Sequence, residues 1–221
     1  ITGPAARALS SPILIENLIP KGAIVLLSGP SFSGKTFFAM EVARAVAHGD
    51  KFMGHFSVPS TGNTLFVEQD APKVDTWKAF FAMLAETWET YDNSVGTDDP
   101  RDSLCFLWHP GLDLMTGSSS AIVITLANDL FCSLGYGGEP IQTPIYDSDG
   151  ELLHIDISPP GETVLRGASV IVFDAFRDIH SGDENDSQDM GRVMQAIKTI
   201  RAYTSATIII IHHDNASGAR P

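Results

Sequence analysis

Cysteine is nearly absent. The 221-residue chain has two, Cys105 and Cys132, far apart in apolar segments and outside any Cys-x-x-Cys pair. That argues against a disulfide framework or a thiolate metal cluster, and leaves ordinary buried thiols suited to a reducing, cytoplasmic setting. Positive charge is also scarce. Lysine and arginine total 14 against 27 acidic residues, for a formal net charge of −13. A general basic face for nucleic acid is therefore not written into the composition. DNA held in the pore of a ring, by a few loop residues from each subunit, would not need one. No run approaches the ~20 apolar residues of a membrane helix, and Ile1-Thr2-Gly3-Pro4 lacks the basic-then-apolar start of a signal peptide. No membrane partner is expected.

What is present is a globular composition, 43% hydrophobic and 19% charged, sized for one α/β domain over residues 1–221. Apolar runs alternate with helix-spaced segments. Ala23 to Leu27 and Val170 to Asp174 read as strands buried on both faces, and Thr64 to Glu68, Cys105 to Trp108 and Thr207 to Ile211 as further strands. Helices are expected over about 35–48, 73–89, 119–134 and 187–204, with a polar loop at 92–103. Such alternation implies a mainly parallel sheet with helices on both faces. Residues 136–168 interrupt the rhythm. A β-hairpin turning on Asp149-Gly150 is expected there, as an insertion around 139–165.

Gly29-Pro30-Ser31-Phe32-Ser33-Gly34-Lys35-Thr36, followed by Phe37, satisfies the phosphate-loop pattern G-x-x-x-x-G-K-[ST]. Its glycines let the backbone curl so that N–H groups face phosphate oxygens at the positive end of the next helix. Lys35 would reach the β- and γ-phosphates of ATP, and the Thr36 hydroxyl would coordinate Mg²⁺. Asp174 ends a buried strand at the sheet edge where ligands bind, the place of a second Mg²⁺-holding group, or of a turn-capping carboxylate. Glu68 ends another strand and is a candidate general base, with Asp70 as competitor; a solvated strand-exit carboxylate is the other reading. His212 and His213 follow four isoleucines and are candidate sensors of the γ-phosphate. Asp183-Glu184-Asn185-Asp186 with Asp189 either caps the following helix or lies near the metal.

The order of these pieces resembles the RecA-like ATPases of the plasmid and phage RepA-type hexameric helicases. The matching stretches are Leu18 to Gly22 before the phosphate loop, Glu41 to Gly49 after it, Phe66 to Pro72, Val172 to Asp174 with Gly182 to Asn185 and Asp189-Met190, and Ile211 to His213. The resemblance implies a catalytic set of Glu68, Lys35 and His212 or His213, with Thr36 and Asp174 on Mg²⁺. It also implies a homo-oligomeric ring with ATP at subunit interfaces, an arginine supplied by the neighbouring subunit, and single-stranded DNA as partner in replication. The family's last strands and that arginine would fall beyond Pro221, with Arg220 a poor substitute, and 136–168 is longer than the family pattern. Two other readings compete: a regulatory ATPase that switches protein partners without nucleic acid, and a small-molecule kinase. The kinase would be expected to have an arginine-rich lid, and the arginines here are scattered.

Overall fold

The computed structural model describes residues 12–69, 104–108, 110–129, 132–134, 141–146, 152–158, 163–165 and 167–213. Side chains are described throughout these except at 129 and across 132–165. The expected helix at 73–89, the loop at 92–103, Asp70 and the stretch 214–221 lie outside the described residues.

Five strands form one parallel sheet: β3 (Ile24–Gly29), β4 (Asn63–Glu68), β5 (Leu104–Trp108), β10 (Ala168–Asp174) and β11 (Thr207–His213), in the order β3-β11-β10-β4-β5. A two-stranded pair, β1 (Ile13–Ile15) and β2 (Ile19–Pro20), precedes them. Helix α1 (Lys35–His48) covers one face, while α2 (Gly117–Asp129) and α3 (Ser187–Thr204) cover the other.

Side chains on a strand alternate between faces, and each central strand divides its residues accordingly. Phe66, Val170, Val172, Ile209 and Ile211 join Met40, Val42 and Val46 of α1 in one core. Leu65, Val67, Ile171, Phe173, Ile208 and Ile210 join Val123 of α2 and Val193, Ile197 and Ile200 of α3 in the other. Each fully buried Ile, Val or Phe contributes roughly 1.5–3 kcal/mol relative to an exposed one, so the two cores are the fold's main source of stability.

Helix α1 ends where expected. Gly49 takes the left-handed conformation, φ 74°, and its N–H donates to the Ala45 carbonyl at 2.9 Å. Arg44 binds Glu41 through Nε and Nη2 at 2.7 and 2.9 Å and Asp50 through Nη1 at 2.7 Å. Glu41 in turn accepts from the Met53 N–H, tying the helix to the turn after it. These bonds, Glu41's foremost, hold the guanidinium pKa above its usual value despite burial.

Two expectations need correction. The strand leading to the phosphate loop is not buried on both faces: Leu26 is 59% exposed. Among the described residues β3 is an edge strand, paired only with β11, so its apolar run lacks a neighbour on the other side. The helix expected over 119–134 stops at Asp129, and Cys132–Leu134 forms strand β6, antiparallel to β9 (Thr163–Leu165). Helical spacing continued through Leu134, but pairing with a segment about thirty residues away overrode it. The expected hairpin is present: β7 (Ile141–Tyr146) pairs antiparallel with β8 (Leu152–Ser158). The Asp149-Gly150 turn itself lies outside the described residues.

Candidate functional site

All five strands run parallel, so their C-terminal ends share one edge, where ligands bind in open α/β sheets. The phosphate loop leaves β3 at this edge and enters α1. Gly34, just before the helix, has φ 86°, and Phe32 has φ 61° with a fully exposed ring. A bulky residue in the left-handed region stores strain of order 1–3 kcal/mol, as at other ligand-gripping loops. Lys35, almost fully buried, curls back into the loop. Its ammonium donates to the Gly29 and Pro30 carbonyls at 2.8 and 2.7 Å and to Ser33 Oγ at 3.3 Å. Three oxygens thus hold the ammonium inside the curl, where phosphate oxygens could replace them. Phe37 is half exposed, and Phe38 packs edge-on against Phe52 at 5.1 Å.

The structure brings Thr36 and Asp174 together, although 138 residues separate them: Thr36 Oγ1 donates to Asp174 Oδ2 at 2.7 Å. Glu68 and Asp174 are direct partners in the β4–β10 register, on the α1 face, and both are buried. A hydroxyl and a carboxylate in contact, with a second buried carboxylate alongside, form a hard oxygen donor set. Such a set fits Mg²⁺ completed by phosphate oxygens and water. Two carboxylates buried side by side also favour a cation near them.

The histidines separate by face. Strand β11 pairs His212 with Ser28 and His213 with Gly29, so both adjoin the phosphate loop. Alternation puts His213 with Ile209 and Ile211 on the α1 face, and His212 with Ile208 and Ile210 on the other. His212 Nε2 lies 3.5 Å from Glu184 Oε2, a long contact, and its ring is 5.8 Å from that of Phe176. The acidic cluster divides its work. Asp186 caps α3, accepting from the N–H groups of Gln188 and Asp189 at 2.7 and 3.2 Å, while Glu184 faces His212.

One residue of this edge, inside the stretch Phe66 to Pro72, had no expected role of its own. Gln69, just past Glu68, donates from its backbone N–H to the Asp174 carbonyl at 2.7 Å. Its side chain accepts from the Leu112 N–H at 3.1 Å and donates to the carbonyls of Leu112, at 3.3 Å, and Asp178. Leu112 belongs to the loop after β5, and Asp178 to a short 3₁₀ helix, Phe176–Ile179, after β10. Beyond Gln69 the two segments stay joined. Leu114 N–H donates to the Ile179 carbonyl at 2.7 Å, and Ser181 donates to Asp113 through its N–H at 3.1 Å and its hydroxyl at 2.7 Å. Desolvation would raise the Asp113 pKa. The bonds from the Ser181 hydroxyl and from the Met115 and Ser181 N–H groups outweigh it, and the carboxyl sits below the ordinary aspartate value.

Comparison with known proteins agrees with the fold. One of 108 solved chains with a matching fold is a KaiC-like protein from the hyperthermophilic archaeon Pyrococcus horikoshii. It aligns with 94% of this chain and 68% of its own, at 16% identity and a TM-score of 0.52. At that identity the likeness establishes architecture alone. No curated protein matches the sequence. No helix among the described residues is long and apolar enough to cross a membrane. A family profile described as AAA domain (AAA_25) matches residues 6–219. With its phosphate loop on a RecA-like α/β sheet, this chain belongs to that family of AAA-type ATPase domains.

Proposed function

We propose that this domain binds Mg²⁺–ATP, hydrolyses it, and as a subunit of a hexameric ring turns the cycle into movement along single-stranded DNA in plasmid or phage replication. The observation that carries the hydrolytic step is the Thr36–Asp174 contact beside the in-register carboxylate of Glu68. The motor reading is supported by the resemblance to RepA-type helicases, from Leu18 to His213.

In this reading Lys35 exchanges its carbonyl partners for β- and γ-phosphate oxygens, and the N–H groups of the 29–36 loop hold the rest of the phosphate chain. Thr36 and Asp174 would hold Mg²⁺, which offsets the phosphate charge. Glu68 accepts a proton from a water whose oxygen attacks the γ-phosphorus. The bond to the β–γ bridging oxygen breaks, its electron pair leaves with ADP, and inorganic phosphate forms. His213, on the face of Asp174 and Glu68, is the better placed histidine to donate to the γ-phosphate. His212 answers to Glu184 instead. An arginine from a neighbouring subunit would complete the charge stabilisation.

The net charge of −13 favours a second reading, a regulatory ATPase that switches protein partners. ATP turnover by the full-length protein, with and without single-stranded DNA, separates the two. Turnover that rises several-fold with DNA, from a particle of hexameric mass by light scattering, is the expected result. Turnover indifferent to DNA would overturn the motor and leave the regulatory reading.

A further inference from the structure

We infer that Gln69 is a positioning residue for hydrolysis, holding the Glu68 carboxylate in place from the opposite face of the sheet; this rests on the ATPase reading above. The β-ladder ends at Glu68, whose register partners are Asp174 on one side and Trp108 on the other. A residue at the last rung would fray, because no further strand bonds hold its C-terminal peptide. Gln69 supplies them. Its N–H reaches the Asp174 carbonyl, extending the β4–β10 ladder by one step.

Alternation sends the Gln69 side chain to the α2/α3 face, opposite Glu68. There both amide atoms are engaged: Oε1 by the Leu112 N–H, and Nε2 by the Leu112 and Asp178 carbonyls. One side chain therefore pins the loops leaving β5 and β10, with the strand bearing Glu68 between them. The pinned segments continue through Leu114–Ile179 and Asp113–Ser181 to Glu184 and its contact with His212. The chain of contacts runs along the sheet edge from β5 and from β4, which bears the candidate base, past β10 to β11. A base displaced by ~1 Å loses on the order of 10²-fold in rate, so a rung that fixes Glu68 acts on turnover rather than on nucleotide affinity.

The test uses the full-length protein and three variants, Gln69→Ala, Glu68→Gln and the double variant. Gln69→Ala is expected to leave ATP affinity by calorimetry within about threefold and to speed hydrogen exchange at the Leu112 and Leu114 amides. It should lower kcat tenfold or more with little change in KM. In the Glu68→Gln background the same change should lower kcat by less than about twofold, because a residue acting through Glu68 has nothing left to position. Equal losses in both backgrounds would overturn the inference, as would unchanged turnover in Gln69→Ala despite faster exchange. If Gln69→Ala does not fold, Ser181→Ala loosens the far end of the same chain of contacts at an exposed residue. It should give a smaller kcat loss that likewise vanishes with Glu68→Gln; no loss would overturn the inference. Wild-type protein that binds ATP without hydrolysing it would reject the ATPase reading and the positioning role with it. The exchange comparison would then report separately whether Gln69 clamps the two loops.

Discussion

The phosphate loop and the joined loops at 110–116 and 176–181 share one sheet edge but are held in opposite ways. Residues 29–36 are shaped by their own chain: Gly34 takes a left-handed turn, and Lys35 bonds carbonyls five and six residues back. The other pair is held by partners distant in sequence. Gln69 reaches Leu112 and Asp178, 43 and 109 residues away, and Asp113 reaches Ser181 across 68. A locally shaped loop can be recognised by its pattern. A loop held by long-range bonds has no pattern of its own, because its partners are set by the sheet order.

The comparison can be tested on both sides. The largest effect is expected at Glu68, the residue between the two regions. Glu68→Gln should retain ATP binding and slow hydrolysis by about 10²–10⁴-fold, the range for a lost general base. Asp70→Asn should do much less, and a larger defect at Asp70 would move the role there. Next is the self-shaped loop. Lys35→Ala removes a charge-assisted contact worth about 1.5–3 kcal/mol and should weaken ATP binding by roughly 10–10²-fold, with circular dichroism unchanged. Unaltered affinity in calorimetry would discard the phosphate-loop assignment.

The smallest effect belongs to the joined loops. The folded pKa of Asp113 is depressed, so its contribution is present above the unfolded value of about 3.9 and is lost as pH falls through the lower folded value. Asp113→Asn should cost no more than about 1 kcal/mol at neutral pH, since the group is still partly exposed to solvent. It should also flatten the acid limb of the stability curve. Identical acid unfolding in urea melts of both proteins would show that the Asp113–Ser181 contact contributes nothing.

Much of the molecule was legible in its residues. The phosphate loop, α1, the buried strand at Val170 to Asp174, α3 and the paired strands Ile141–Tyr146 and Leu152–Ser158 lie where their spacing places them. Each is a local property: a glycine pair at fixed separation, a 3.6-residue period, an alternation bounded by Asp-Gly. Asp186 is likewise a cap because it stands one residue before its helix. The failures share a cause. Cys132–Leu134 has helical spacing but pairs with Thr163–Leu165, and Leu26 has a buried strand's composition but lies on an edge.

Sequence alone marked an α/β domain with a phosphate loop and named Lys35, Thr36, Glu68, Asp174 and the two histidines as candidate site residues. The reason is that phosphate binding needs fixed residue types at fixed short spacings, which leave a readable trace. Tertiary structure alone decided that Thr36 meets Asp174, that Glu68 stands in register beside it, and that His213 takes the α1 face and His212 the other. It alone made Gln69 the tie between the loops after β5 and β10. Those outcomes depend on which strands lie side by side and in what register. Sheet order follows from how two cores pack around the whole chain, not from any short stretch of it.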